Sequence, residues 1–146
     1  LDKVAPSKNF RGELRSYQVS GLSWLSFLQK VQLGGCLADD MGLGKTVQVL
    51  ALFEERRRRG SECRPNLVVV PRSLVFNWLQ EAERFTPGIK TLNYTGPQRK
   101  ARLEEIVESD LVVTTYGILG VKVWIFKGEV IGTENASDPA KKSATN

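Results

Sequence analysis

Three residues at the end of a glycine-rich stretch have the types and spacing that bind nucleotide phosphates. Gly44, Lys45 and Thr46 come directly before a segment with helical periodicity. Glycine lets a backbone turn sharply and approach a phosphate, and the N–H groups that open a helix point toward the anion. A lysine at this place can reach the β- and γ-phosphates, and a threonine hydroxyl can ligate Mg²⁺. The pattern therefore predicts a phosphate site with Thr46 as the candidate metal ligand.

The loop departs from the strict phosphate-loop pattern at its first position. That pattern has a glycine five residues before Gly44, where this chain has Asp39. A lone glycine-lysine-threonine is often an ordinary surface loop, but here an apolar run over 34–38 predicts a preceding strand. The order strand, loop, helix favours phosphate binding. The candidate nucleotide ligands of the loop are Asp40, Met41, Gly42, Leu43, Gly44, Lys45 and Thr46.

The composition is typical of a globular protein, with an excess of basic over acidic residues. The 146 residues are 41% hydrophobic and 25% charged, with a net charge of +5 and no histidine. No apolar run reaches the length of about 18 residues that a membrane helix needs, and the start lacks a secretory signal. We therefore expect an intracellular protein without membrane contact. Cys36 and Cys63 lack metal-ligand spacing, and the apolar neighbours of Cys36 predict a buried, reduced thiol.

Alternating apolar and periodic segments predict an α/β fold with a parallel sheet flanked by helices. Helices are expected over 14–30, 44–59, 74–85 and 97–108, and strands over 34–38, 66–70, 89–94 and 110–115. Such alternation is typical of βαβ units. Ser73 is a candidate N-cap for the third helix. The arginines of 56–59 are expected to form a solvated helix end, with phosphate contact as the less favoured alternative.

Five blocks of the sequence resemble the first ATPase lobe of the Swi/Snf-type DNA translocases, a branch of the superfamily-two helicase-like proteins. The blocks are LRSYQVSGLSWL, LADDMGLGKTVQ, LVVVPRSLVFNWLQEAERF, YTG and DLVVTTYGIL, in this order within residues 13–119. That family also has an aspartate in place of the first loop glycine. The resemblance implies a RecA-like lobe that binds ATP and Mg²⁺, with Gln18 at the adenine-reading position.

The resemblance also implies double-stranded DNA as a partner. It assigns DNA contact to Pro71, Arg72 and Ser73 after one strand, and to Thr114 and Thr115 at the end of another. Small hydroxyls and backbone N–H groups commonly hold phosphates without reading sequence. Helix capping or turn formation is the alternative role for these hydroxyls. A DNA translocase would act in the cytoplasm or nucleoid of a bacterium, or in the nucleus of a eukaryote.

The resemblance divides the chain into four parts. We expect a ragged entry over 1–12, a partial ATP-binding lobe over 13–119, a foreign-looking extra strand over 120–132 and a disordered tail over 133–146. The family next has an acidic motif II that holds Mg²⁺ and positions water, and then a second lobe with an arginine finger. Neither is recognised after residue 119. We therefore expect an incomplete lobe that binds ATP without turning it over.

A second resemblance covers the end of these blocks. Residues 114–132 are similar to the C-terminal strand region of the third small-subunit ribosomal protein of bacteria. This implies an alternative in which a segment that binds ribosomal RNA is joined at 114–117 by gene fusion, recombination or a sequence-assembly join, unless the likeness is a coincidence. A further alternative is an unrelated small P-loop kinase or NTPase, against which the block around Gln18 argues.

Overall fold

Helices and parallel strands alternate along the chain in the computed structural model, which describes residues 2–60 and 64–119. The helices are α1 (Ser16–Lys30), α2 (Lys45–Arg58), α3 (Val75–Phe85) and α4 (Tyr116–Leu119), and the strands are β1 (Asn66–Val70), β2 (Thr91–Asn93) and β3 (Leu111–Thr115). Short 3₁₀ turns cover Arg72–Leu74, Pro97–Arg102 and Glu104–Ile106. The expectations for Cys63, the extra strand over 120–132 and the tail over 133–146 lie outside the described residues.

The three strands form one parallel sheet in the order β1–β3–β2. The register runs from Asn66 opposite Leu111 to Val70 opposite Thr115, and β2 pairs with β3 on the other side. The predicted parallel sheet is thereby confirmed. Because all three strands point the same way, the residues that follow β1 and β3 meet at one edge of the sheet, which we call the carboxyl edge.

Two hydrophobic clusters hold α2 between its neighbours. On one side, Leu50 packs with side chains of one sheet face and of α3; this cluster comprises Leu50, Val68, Val70, Val75, Ala82, Ile89, Leu111 and Val113. On the other side, Ala51 packs with Leu22 of α1 and with Phe10 and Leu14. Removal of this apolar surface from water stabilises the fold, and it fixes α2 against both the sheet and α1.

The predicted strand over 34–38 does not form. These residues have no strand conformation, and most of them, including Cys36, are exposed. A strand needs the backbone hydrogen bonds of a neighbour, and the described sheet ends at β1 and β2 without pairing to this segment. The expectation of a buried Cys36 thiol is therefore wrong.

Two predicted helix starts also differ. The Ser73 side chain does not cap α3, because Arg72–Leu74 forms a 3₁₀ turn and Leu74 takes the N-cap position. The predicted helix over 97–108 is replaced by two 3₁₀ turns. Leu103 and Val107 of this segment are largely exposed, so little packing is available to stabilise a longer helix.

The arginines at the end of α2 pair with carboxylates of their own helix. Arg57 contacts the buried Glu54 with Nη2 to Oε1 at 2.9 Å and Nε to Oε2 at 3.2 Å. Glu55 accepts in the same way from Arg58, and from Arg59 at 3.1 Å. The hydrogen bonds from Arg58 are the main cause of a lowered pKa of Glu55. Both carboxylates at this end of α2 are therefore paired, while the four arginines of 56–59 against the two glutamates leave a net charge of +2.

Within the described part of the chain, no helix has both the length and the apolarity that a membrane span requires.

Candidate functional site

The glycine-rich loop over 39–44 leads directly into α2. Gly42 and Gly44 have φ values of 83° and 75°, in the left-handed region that favours glycine. Gly44 is the N-cap of α2, and Lys45 is its first residue. The glycine positions of the motif therefore form the turn that the sequence predicts, and the loop lies where the N–H groups of the helix begin.

The Lys45 ammonium is held across the loop by backbone carbonyls. Its Nζ donates to the carbonyl oxygens of Asp39 at 2.5 Å and Asp40 at 2.8 Å. These partners are dipoles rather than carboxylates, so they orient the ammonium without cancelling its charge. Lys45 and the N–H groups at the start of α2 therefore bring several hydrogen-bond donors to one place, which suits a phosphate group.

Thr46 lies in the first turn of α2, where the sequence predicts a magnesium ligand. Its side chain is half-buried beside Lys45. No group of three or more His, Cys, Asp or Glu side chains that could hold a metal occurs in residues 2–60 and 64–119. Mg²⁺ is a hard cation that prefers oxygen ligands, and the Thr46 hydroxyl is a donor of that kind.

Gln18 connects α1 to the loop. Its Nε2 donates to the Leu43 carbonyl at 3.1 Å, and its Oε1 accepts from the Arg15 N–H at 2.9 Å. The Tyr17 hydroxyl donates to the same Leu43 carbonyl at 3.0 Å. A glutamine amide has a second N–H and a second lone pair, so Gln18 has one donor and one acceptor outside these bonds, on a residue that is only 8% exposed. The structure thus brings Gln18 to the loop, and its role as the adenine-reading residue stays a prediction.

The outer part of the loop lies open to solvent. Met41 is 91% exposed, and Asp40 and Gly42 are also exposed. These residues contribute backbone groups to the loop surface.

The sequence did not single out Gln48, which lies one turn into α2. Its side chain is completely buried, and its Nε2 donates to Oδ2 of Asp39 at 2.9 Å. Asp39 is the residue that replaces the first glycine of the strict phosphate-loop pattern. A polar residue within the core-facing stripe of a predicted helix was the available signal, since buried polar groups normally have a defined partner.

The predicted DNA contacts divide into exposed and buried groups. Pro71, Arg72 and Ser73 follow β1 and are exposed, and Thr115 is half-buried at the end of β3. Thr114 is completely buried, and its Oγ1 donates to the Tyr94 carbonyl at 2.8 Å. Thr114 is therefore placed to join β3 to the segment after β2, and its hydroxyl is not accessible to DNA.

The phosphate loop lies on the same side of the domain as these strand ends. The opposite end of α2 is anchored at the start of β1, because Arg56 donates to the side chain of Asn66. From there α2 runs back along the sheet for 14 residues, or about 21 Å. Its N-terminal end with Lys45 consequently lies toward the carboxyl edge, where open parallel sheets bind their ligands.

Comparisons with known proteins agree with this arrangement. Residues 17–143, which include the loop and the whole described sheet, match the SNF2-related domain family. The chain belongs to the SNF2-related family. The predicted Swi/Snf-type lobe is thereby confirmed.

Relatives of this SNF2-related chain carry helicase names. It is 40% identical over 119 residues to the Putative ATP-dependent helicase/translocase YwqA of Bacillus subtilis, covering 80% of this chain and 13% of that protein. It is 44% identical over 110 residues to the ATP-dependent helicase fft2 of Schizosaccharomyces pombe, covering 71% and 8%. Helicase SWR1 of Saccharomyces cerevisiae is 46% identical over 101 residues, with coverage of 68% and 7%. The chain thus spans a small part of the length of these relatives.

A solved structure shares the fold. The Sulfolobus solfataricus SWI2/SNF2 ATPase core in complex with dsDNA superposes with a TM-score of 0.73 and 38% sequence identity. The match covers 82% of this chain and 24% of that chain. The predicted RecA-like α/β fold is confirmed.

The ribosomal resemblance gains no support from these comparisons. The SNF2-related match runs across residues 114–132, the segment that carries that resemblance. The division of the chain near residue 119 stays a prediction.

Proposed function

We propose that this chain binds ATP and Mg²⁺ as part of the first ATPase lobe of a DNA-dependent translocase. The observation that supports this most directly is the loop over 39–46, with the Lys45 ammonium held over it at the start of α2. It occurs in a chain of the SNF2-related family, whose relatives are named as ATP-dependent helicases.

The residues of the loop fit a magnesium nucleotide. Lys45 would exchange its two carbonyl partners for phosphate oxygens, which offer a charged acceptor instead of a dipole. Thr46 would ligate Mg²⁺ beside the phosphates, and Gln18 would read the adenine with its remaining donor and acceptor. When bound, ATP supplies the phosphoanhydride whose hydrolysis drives such translocases.

Binding of a fluorescent ATP analogue in the presence of Mg²⁺ tests this proposal. We expect Lys45→Ala to weaken the affinity about 100-fold, because it removes the charge that faces the phosphates; this corresponds to about 2.7 kcal/mol. Lys100→Ala is the matched control, since Lys100 is an exposed lysine in a turn far along the chain. Equal affinity of wild type and Lys45→Ala would contradict the proposal.

We also propose that the carboxyl edge contacts the backbone of duplex DNA through Arg72, Ser73 and Thr115. These residues follow β1 and end β3, which are adjacent strands, so their groups lie close together. Arginine and hydroxyl side chains are suited to phosphate contacts that carry no sequence information. Thr114 is left out of this surface because its side chain is buried.

The salt dependence of duplex binding tests this surface. We expect Arg72→Ala to reduce the slope of log K against log salt by about 1, because one phosphate contact is lost. Arg84→Ala is the control, since Arg84 lies near the end of α3 and packs over the Phe85 ring. An unchanged slope in Arg72→Ala would exclude Arg72 from the contact.

A second ATPase lobe and an intracellular location complete the proposal. The chain covers 24% of the ATPase core that it superposes on, so the remainder of a core of that kind, including a second lobe, would have to come from elsewhere. Duplex DNA as a partner implies action in the nucleoid of a bacterium or the nucleus of a eukaryote.

A further inference from the structure

Gln48 is a buried polar side chain with one unpaired end. Its Nε2 donates to Asp39 Oδ2 at 2.9 Å, whereas its Oε1 is buried without a hydrogen-bond partner in the described part of the chain. An unpaired buried oxygen lowers the stability of a fold. A hydrophobic residue would fill this position of α2 without that penalty. The hydrogen bond from Nε2 to Asp39 is therefore the best explanation for a glutamine here.

The space for Gln48 is provided by α1. A Cβ on Gly21 would lie 1.9 Å from Gln48 Oε1, so no side chain larger than a hydrogen atom fits there while Gln48 keeps its position. Gly21 lies one turn after Gln18, which donates to the other end of the loop at Leu43. The helix that holds Leu43 thus also forms the wall against which Gln48 rests.

The two ends of the loop are consequently fixed by different helices. Side chains of α1 hold the Leu43 end through Tyr17 and Gln18. At the Asp39 end, α2 provides both contacts: Lys45 holds the backbone carbonyl and Gln48 holds the carboxylate. Asp39 therefore offers α2 a carboxylate acceptor that a glycine at the same position would lack.

We propose that Gln48 is a positioning residue for nucleotide binding, which holds the start of the phosphate loop through Asp39 so that the Lys45 ammonium stays over the loop. This rests on the proposed ATP site. Gln48 does not touch the nucleotide. It sets the loop conformation through its hydrogen bond to Asp39, and the absence of a side chain at Gly21 leaves room for the Gln48 amide in this position.

Exchange of donor and acceptor tests the pair with little change in shape. Gln48→Glu places a carboxylate against Asp39, and we expect the affinity for a fluorescent ATP analogue to fall about tenfold or more. Asp39→Asn keeps an acceptor oxygen for Gln48, so its affinity should stay within about threefold of wild type. In the double variant Asp39→Asn with Gln48→Glu, the new amide donates to the new carboxylate, and the affinity should return to within about threefold of Asp39→Asn.

The rescue separates positioning from a general effect of a buried charge. Thermal unfolding is measured for every variant. If Gln48→Glu acted only by burying a carboxylate, it would lower the melting temperature by the same amount with Asp or with Asn at position 39. Gln80→Glu is the matched control, since it makes the same change at an exposed position of α3. A double variant that binds no better than Gln48→Glu would overturn the proposal, and so would a Gln48→Glu variant that binds like wild type.

Gly21→Ala provides a second arm that leaves the loop residues intact. The added methyl group should displace Gln48 and weaken analogue binding about tenfold, while the same change in a Gln48→Ala background should have no further effect. Additive losses would contradict the assignment of Gly21. If wild type and Lys45→Ala bind the analogue equally poorly, the ATP site itself fails; normal wild-type binding that is insensitive to Gln48→Glu overturns this inference alone.

Discussion

The charged side chains at the two ends of α2 have different kinds of partner. At the C-terminal end, the carboxylates of Glu54 and Glu55 are buried and paired with arginines of the same helix. At the N-terminal end, the Lys45 ammonium donates to backbone carbonyls of the loop. At one end the carboxylates are therefore paired with cations, and at the other end the ammonium is oriented by dipoles.

This difference separates stability from binding within a single helix. The two members of an ion pair between neighbouring turns of a helix satisfy each other, so these pairs act mainly on folding. An ammonium that is held by dipoles keeps its net charge, and an anion can take over its hydrogen bonds. Changes at the C-terminal end should consequently alter stability, and changes at the N-terminal end should mainly alter nucleotide affinity.

A substitution in the middle of α2 should have the largest effect on stability. Because this part of the helix supports both ends, the effect should not be confined to either of them. Leu50 is completely buried between the sheet and α3. We expect Leu50→Ala to lower the free energy of unfolding by about 3 kcal/mol, because it leaves a cavity in the core. Urea denaturation measures the loss, with the exposed Leu103→Ala as control. A loss below that of the control would mean that α2 is not anchored on the sheet as described.

Glu54→Gln should give the next largest effect and act on stability alone. It removes the charge that faces Arg57, whose guanidinium is one-third exposed and can partly turn to water. We therefore expect a loss of about 2 kcal/mol, below the range of about 3–5 kcal/mol for fully buried pairs. Glu83→Gln on the exposed face of α3 is the control. A weakened ATP-analogue affinity in the folded Glu54→Gln protein would break the division between the two ends.

Gly44→Ala should act at the other end of the helix. The φ value of 75° is strained for alanine, and the new Cβ would lie 2.5 Å from Nε2 of Gln18. We expect a stability loss of about 1–2 kcal/mol together with a loss of analogue affinity of about tenfold. Gly60→Ala, at a φ of 65° with nothing near its Cβ, is the matched control and should alter stability without altering affinity. Equal effects on affinity would contradict the role of Gly44.

The pH dependence of stability should show the smallest effect. The pKa of Glu55 is lowered in the fold, chiefly by hydrogen bonds from Arg58. Its stabilising contribution is therefore fully present above the unfolded pKa of about 4.3 and is lost as pH falls through the lower folded pKa. Glu55→Gln should flatten the stability profile in that acid window. The exposed Glu104→Gln is the control, and an identical profile in wild type and Glu55→Gln would show that the pairing does not stabilise the fold.

The sequence predicts those parts of the molecule in which local pattern and packing agree. The apolar run between Pro65 and Pro71 gave β1 with its observed bounds, and α2 begins and ends within one residue of the prediction. The run over 34–38 failed because strand formation depends on a neighbour, which a local pattern does not contain. Cys36 was misplaced for the same reason.

The placement of residues around the loop was predicted where it follows from the motif and missed where it follows from packing, and the binding roles of these residues stay predictions. Gly44, Lys45 and Gln18 were placed by the motif and by the resemblance, and all three lie at the loop. Glu54 and Gln48 were missed because glutamate and glutamine are usually exposed, and burial of either one depends on a partner elsewhere in the chain.

The register of the sheet has a consequence for the order of folding. Asn66 pairs with Leu111, so the β1–β3 contact closes a loop of about 45 residues, whereas α1 and α2 are joined by the 14 residues 31–44. Contacts that are distant in sequence form slowly because loop closure costs entropy before any contact is gained. We therefore expect the helix pair beside the glycine-rich loop to assemble early in refolding, and the carboxyl edge of the sheet to be completed last.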